Sequence, residues 1–223
     1  MRKLVPVSSL LLFIIPIITL IICQQIVAYY YDFHTIPFVD GKISISGMGR
    51  GEKTIGIFRS GFFIYILISV FFYFQISDFF TEKEFRNKFK IYGILANLSL
   101  CVYLIALGKQ ESFYEISRRL SIIFYIGIML INHIYLIKTL KFLKLNKKIF
   151  FKKIYLKIFY TIIFLMAVLA IIGLPWINPL FKYPNQLKNI VEWNYLFLTI
   201  FFYVPLSFLL YEISKETKKI NTY

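Results

Sequence analysis

Residues 138–157 read KTLKFLKLNKKIFFKKIYLK, a segment with eight lysines and no acid. Long apolar runs lie on both sides of it, at residues 120–137 and 158–177. A short basic loop between two such runs is typical of the cytosolic connection between membrane-spanning helices. The pattern therefore predicts two transmembrane helices joined by a loop on the cytosolic side.

The composition of the whole chain also indicates a membrane protein. Of its 223 residues 59% are hydrophobic, the mean hydropathy is +0.70, and the few charged residues gather between apolar runs. A soluble domain with 25 phenylalanines and 17 tyrosines would expose more apolar surface than a soluble monomer tolerates. These observations exclude an ordinary soluble domain.

Six apolar runs are long enough to cross a bilayer, which takes about 20 residues of helix. They predict an all-α fold, a single polytopic membrane domain over residues 1–223 built as a six-transmembrane-helix bundle. The predicted spans lie at residues 7–28, 57–76, 91–107, 120–137, 158–177 and 193–213. Pro16 and Pro205 fall inside the first and last spans, where proline kinks a helix. The alternating residues 42–46 predict a short strand outside the membrane.

The distribution of basic residues predicts the orientation. Six spans place both termini on one side, together with the lysine-rich segment 138–157. Seventeen of the 26 lysines and arginines fall on that side and nine on the other. The excess predicts that both termini are cytosolic. Segments 31–56, 108–119 and 178–191 are then on the non-cytosolic face.

The net charge of +15 favours anionic membrane phospholipid as a partner. We expect no nucleic-acid binding, because no basic unit with an aromatic-studded groove is recognisable in the sequence. Two interpretations of the lysine-rich segment remain open, a solvated tract and a lipid-headgroup site. The cytosolic residues that a headgroup would contact are Lys144, Lys147, Lys148, Lys152 and Lys153.

Polar side chains near the non-cytosolic ends of the spans form the candidate site. Ionisable groups at this depth usually face a partner or a water-filled cavity. In one bundle Arg59 and Arg119 would flank Glu192 and bind a lipid phosphate. The alternative is that these side chains only anchor helix ends. The candidate pocket residues are His34, Arg59, Arg118, Arg119, Glu192 and Trp193.

Two further polar residues, Asn132 and His133, fall inside the fourth span. A membrane histidine is more often an interhelical hydrogen-bonding group than a catalyst. No metal-ligand spacing or nucleophile motif is present, so we expect no metal and no cofactor, and the sequence favours a non-enzymatic protein.

Three short pieces of the chain resemble the DRAM (damage-regulated autophagy modulator) family, which includes the post-GPI-attachment-to-proteins factor two proteins. Residues 54–61 read TIGIFRSG, in which Arg59 is similar to an arginine of the GPI-remodelling branch. Residues 191–193, VEW, resemble the family's start of the last span, and Glu212 stands where an aspartate is usual. The family typically begins its fourth span with a histidine, whereas this chain has RRL at residues 118–120.

The resemblance implies a lipid-related role in a Golgi, endoplasmic reticulum or lysosomal membrane. The activity would be GPI-anchor lipid remodelling or the regulation of autophagy, with a phospholipid or a GPI lipid as ligand. A different class of function is also open, because the sequence shows no catalytic set. The chain would then be a structural subunit bound to other membrane proteins, with the mitochondrial inner membrane as an alternative location.

Overall fold

The computed structural model describes residues 4–79, 83–146, 149, 151–173 and 185–220. In these residues the chain is all-helical, and six helical spans are long and apolar enough to cross a membrane. The predicted fold class, an all-α six-span membrane protein, is confirmed. The described helices are α1 (Leu4–Tyr31), α2 (Pro37–Asp40), α3 (Ile45–Gly49), α4 (Ile55–Phe79), α5 (Lys83–Ala106), α6 (Ser112–Leu145), α7 (Lys153–Gly173), α8 (Asn185–Phe201) and α9 (Tyr203–Ile220).

The spans form a ring in chain order. α1 packs on α4, α4 on α5, α5 on α6 and α6 on α7, and the last span, α8 with α9, packs on both α7 and α1. Two hydrogen bonds join α1 to α9, the helices that close the ring. Ser9 Oγ donates to Tyr203 O at 3.0 Å, and Ser207 Oγ donates to Pro6 O at 2.7 Å. Such polar contacts between helices are a recurrent source of cohesion inside membranes.

The two ends of the bundle differ in chemistry. We call the end that carries residues 144–153 the lysine end. The opposite end carries residues 32–54 and 107–111, and we call it the glycine end because five of the chain's ten glycines lie in these two segments. The candidate site lies at the glycine end.

Most helices extend beyond the apolar runs that predict them. α6 is the clearest case, because it covers residues 112–145 whereas its apolar run covers 120–137. The turns at the two ends of this helix carry its charged residues and lie beyond the hydrophobic run. α1 continues through Pro16. The last span is interrupted at Phe202, three residues before Pro205, so the predicted kink at this proline is found as a break between α8 and α9.

The predicted strand at residues 42–46 is wrong. Ser44 is instead the N-cap of the short helix α3, and its Oγ accepts a hydrogen bond from Gly47 N at 2.9 Å. A serine at this position satisfies one of the free amides of a first helical turn. The alternation of side chains along 42–46 is therefore overridden by local capping.

Three side chains of α8 hold the segment that contains α2. Each donates a hydrogen bond to a backbone carbonyl of that segment. Gly41, which ends α2 with φ +59°, lies so close to α8 that an added Cβ would be 2.1 Å from Gln186 O. Glycine is needed here for both its conformation and its size. The three bonds run from Asn189 Nδ2 to Gly41 O (2.8 Å), from Trp193 Nε1 to Ile43 O (2.8 Å) and from Asn194 Nδ2 to Phe38 O (3.0 Å).

Asp40 closes the turn that precedes this contact. The Thr35 hydroxyl donates to Asp40 Oδ1 at 2.5 Å, and the amides of Ile36 and Lys42 also donate to the carboxylate. The Thr35 hydrogen bond, followed by these amides, lowers the pKa of Asp40. The carboxylate form therefore stabilises the turn.

We expect this turn to loosen as the pH falls below the ordinary range of an aspartate, about 4. A lowered pKa means that the stabilisation is complete above the unfolded pKa and is lost as the pH falls through the folded one. Hydrogen exchange of the Ile36 and Lys42 amides, corrected for intrinsic rates, would rise over that interval. Asp40→Asn cannot ionise and should show no such step; an identical pH response in this variant would contradict the assignment.

Candidate headgroup site

An open polar groove of about 550 Å³ lies at the glycine end. It is built from α3 and the turn after it, the loop between α5 and α6, and the first turns of α6. Three basic side chains and one acid face it, so the lining carries an excess of positive charge. The lining residues are Gly47, Arg50, Gly51, Gly108, Lys109, Gln110, Glu115 and Arg118.

The single acid of the groove is already paired. Arg119 Nη2 donates to Glu115 Oε1 at 2.5 Å, as the spacing of four residues on one helix predicts. Because Glu115 is compensated by Arg119, the positive charges of Arg50, Lys109 and Arg118 remain for an anion. Lys109 lies 4.1 Å from the centre of the Tyr114 ring, which holds its ammonium group at the surface.

A narrow apolar crevice of about 40 Å³ lies next to the groove. Ile45 in the crevice and Gly47 in the groove belong to the same short helix, α3. Glu192 lines the crevice but not the groove. Its charge interacts with those of Lys188 and Arg50, and Arg50 is one of the groove residues.

Arg118 is the one predicted pocket residue that lines this groove. Arg59 points elsewhere, since its Nε donates to Leu104 O at 3.0 Å and its Nη2 donates to Leu107 O. The guanidinium therefore caps the C-terminal end of α5, where a positive charge is favourable. Arg119 is engaged with Glu115 on the wall of the groove. The described geometry thus brings Arg50 and Arg118 together in the groove, whereas Arg59 and Arg119 are engaged by other partners.

The other two predicted pocket residues lie outside the groove lining. His34 is exposed, with its Nε2 3.6 Å from Asp32 Oδ1. Trp193 is only 2% exposed and packs edge-on against Phe38 with ring centres 5.3 Å apart. Its indole N–H is used by the backbone contact with Ile43. Trp193 therefore positions the segment above the site and has no free face for a ligand.

The lysine end is only partly described. Lys144 donates to Phe151 O and lies 4.3 Å from the Phe151 ring centre, so it closes the turn between α6 and α7. Lys152 and Lys153 are exposed. Lys147 and Lys148 lie outside the described residues.

Sequence reasoning missed Arg50, Lys109 and Gln110 as groove residues. They belong to two segments that are almost 60 residues apart, and only the folded bundle brings those segments together. One feature of the sequence could have identified Arg50 as a ligand-binding residue, namely its position between Gly49 and Gly51. Glycines next to a base allow the backbone to approach a ligand closely.

Comparison with protein-family models, with curated proteins and with solved structures gave no match. Within the described residues, no three histidine, cysteine or acidic side chains are gathered as a metal ion would require. The chain is a polytopic membrane protein with six candidate spans.

Proposed function

We propose that this membrane protein binds the phosphate of an anionic lipid headgroup in the groove at the glycine end. The observation that carries the proposal is the positive lining of the groove. Arg50, Lys109 and Arg118 face one open space, while the acid beside them is paired with Arg119. Arginine recognises phosphate through two parallel hydrogen bonds, and basic pockets between transmembrane helices bind lipid headgroups.

The volume of the groove supports a headgroup rather than a single ion. About 550 Å³ is within the range of pockets that bind small organic ligands. Gln110 offers an amide for sugar hydroxyls beside the three cations. An inositol phosphate, the headgroup of a GPI lipid, matches this combination of charge and hydrogen-bonding groups.

The specific role that we propose is GPI-anchor lipid remodelling, in a Golgi or endoplasmic reticulum membrane. Of the two branches of the DRAM family that the sequence resembles, the GPI-remodelling branch is the one whose lipid substrate carries an inositol phosphate. The basic residues of the lysine end favour cytosolic termini, so the groove would face the lumen, where GPI anchors are displayed.

Charge removal in the groove is expected to weaken lipid binding. Arg50→Ala with Arg118→Ala should lower the affinity for phosphatidylinositol at least about tenfold, since hydrogen bonds to charged groups contribute roughly 1.5–3 kcal/mol each. Native mass spectrometry of the purified protein, titrated with phosphatidylinositol or phosphatidylcholine, measures the change. Lys42→Ala is the matched control, because it removes an exposed base at the same end but outside the groove. Wild-type affinity in the double variant would contradict the site.

Remodelling itself is tested in cells that express the chain natively. The acyl composition of GPI anchors in an Arg118→Ala strain would shift relative to a Lys42→Ala strain with the same amount of protein. Unchanged anchors together with altered lysosomal turnover would favour the autophagy branch instead. Loss of lipid binding without any change in anchors would retain the headgroup site and remove the remodelling role.

One observation favours the alternative, a structural subunit. α7 is the most exposed span, with 17% of its apolar window buried against 33–50% for the other spans. A neighbouring membrane protein, as well as lipid, would cover such a face. Mass measurement of the complex extracted in mild detergent separates the two functions, because a monomer with bound lipid would remove the subunit interpretation.

A further inference from the structure

A cluster of uncharged polar side chains lies in the middle of the bundle, separate from the groove. Its members come from α4, α6 and α9, and each is at most 4% exposed. This degree of burial is unusual for polar groups inside a membrane protein unless they have partners. The members are Tyr65, Tyr73, Tyr125, Asn132, His133 and Tyr203.

The four tyrosines form two hydroxyl pairs. Tyr65 and Tyr125 are joined at 3.1 Å, and Tyr73 and Tyr203 at 3.0 Å. The Tyr73 hydroxyl makes a further contact with Met129 Sδ at 3.5 Å. One pair therefore joins α4 to α6 and the other joins α4 to α9.

Asn132 and His133 complete the cluster but are not satisfied by it. Both amide atoms of Asn132 and both ring nitrogens of His133 are fully buried, and among the residues that the structure describes none makes a well-formed hydrogen bond to them, although the Tyr73 hydroxyl lies beside Asn132. The His133 ring stacks on Phe202 with centres 3.9 Å apart, which leaves its nitrogens pointing sideways into the bundle. Buried polar atoms in folded proteins are almost always bonded to protein, water or a ligand. Four such atoms on two adjacent residues indicate an occupant.

The helix break lies beside the same place. Phe202 and Tyr203 occupy the junction of α8 and α9 and contact the His133 ring. Pro205 has no N–H to donate to the Phe201 carbonyl, which is the acceptor one turn before it. In membrane helices, ordered water is one of the groups that satisfies a carbonyl freed in this way.

We propose that the cluster is an internal water-binding site in the middle of the membrane. Water has the donors and acceptors that Asn132 and His133 lack, and a buried water typically makes about three hydrogen bonds. An ion is the poorer occupant, because the six side chains supply no formal charge with a neutral imidazole. An apolar ligand would leave the same four atoms without partners.

The crevice beside the groove borders this cluster at one residue. It is lined by Glu192 at the glycine end and by Tyr125, which belongs to the cluster. Its volume of about 40 Å³ exceeds the 10–15 Å³ that one water needs. A water that enters the crevice can therefore reach the Tyr125 side chain, at one edge of the cluster. This inference does not depend on the proposed binding of a headgroup.

Radiolytic hydroxyl-radical labelling of the purified protein in lipid nanodiscs tests the site, because bound water is the local source of the radical. Met129 and Met166 are an internal pair, since they are 1% and 0% exposed, Met129 Sδ contacts the Tyr73 hydroxyl of the cluster, and Met166 lies on α7, which contributes no member of the cluster. We expect Met129 to be oxidised several-fold faster than Met166. Equally slow oxidation of the two methionines would overturn the proposal.

A substitution series locates the water. His133→Phe removes two of the atoms that would hold it and should lower oxidation of Met129 towards the rate of Met166. Thr139→Val is the control, because Thr139 is equally buried on α6 but its hydroxyl is satisfied by Tyr135 O at 2.9 Å. Fast oxidation of Met129 that persists in His133→Phe would overturn the assignment to these residues. If that variant does not fold, the wild-type comparison of the two methionines still decides.

Discussion

Replacing Trp193 with alanine is expected to lower the free energy of unfolding by about 3–5 kcal/mol, the usual cost of truncating a buried aromatic residue. The indole ring is almost fully buried against Phe38, and its N–H donates to Ile43 O. The variant leaves a cavity and removes one of the three bonds that hold the segment around α2 on α8. Unfolding in mixed micelles with increasing denaturing detergent measures the loss.

Trp193→Phe separates the two contributions. It retains most of the ring packing and loses the hydrogen bond, for which we expect a cost of about 0.5–1.5 kcal/mol. Limited proteolysis within residues 32–54 should follow the same order, with the alanine variant cut fastest. Equal stabilities of the two variants would show that packing of the ring contributes nothing.

Gly93→Leu is expected to prevent close packing of α4 and α5. A Cβ at Gly93 would already lie 2.3 Å from Cγ of Tyr73, at the root of that side chain, where rotation gives little relief. Small residues at helix crossings let membrane helices approach closely. Even Gly93→Ala should cost about 1–3 kcal/mol, the range seen when extra carbon is forced into a packed core.

Gly127 provides the matched control on α6. A Cβ there would meet nothing within 4 Å. Gly127→Ala and Gly127→Leu should therefore leave the yield of monodisperse protein unchanged, whereas Gly93→Leu should reduce it severely. Size-exclusion chromatography of the four variants decides. Normal yield of Gly93→Leu would show that the two helices can separate without cost.

Hydropathy predicted the spans well because each apolar run is read locally, within one helix. The Glu115–Arg119 pair was predictable for the same reason, since both residues lie on one helical face. The hydrogen-bond partners of Arg59 could not be predicted in this way, because its acceptors lie at the C-terminal end of α5, about 45 residues later in the chain. Single residues near a membrane boundary reveal the depth of a side chain but not the direction in which it points.

The candidate site illustrates the same limit. Arg118 was predicted from its position at the start of a span, but its neighbour Arg119 has the same signal and a different role. Which of the two faces the groove depends on the rotation of α6 within the ring. The clustering of Arg50 with Lys109 depends on the path of the segment between α1 and α4, which hydrogen bonds from α8 and the Ser44 cap of α3 hold in place.

The hold of α8 on the segment around α2 has an evolutionary consequence. All three bonds end on main-chain oxygens of Phe38, Gly41 and Ile43. They therefore depend on the path of the backbone and not on which side chains the segment carries. These bonds leave the side chains of the stretch free to vary, apart from glycine at position 41, the Asp40 carboxylate that holds the turn and the Phe38 ring that packs on Trp193. We therefore expect divergent homologues to retain the amide and indole donors of α8, while the other positions of residues 38–43 vary in sequence.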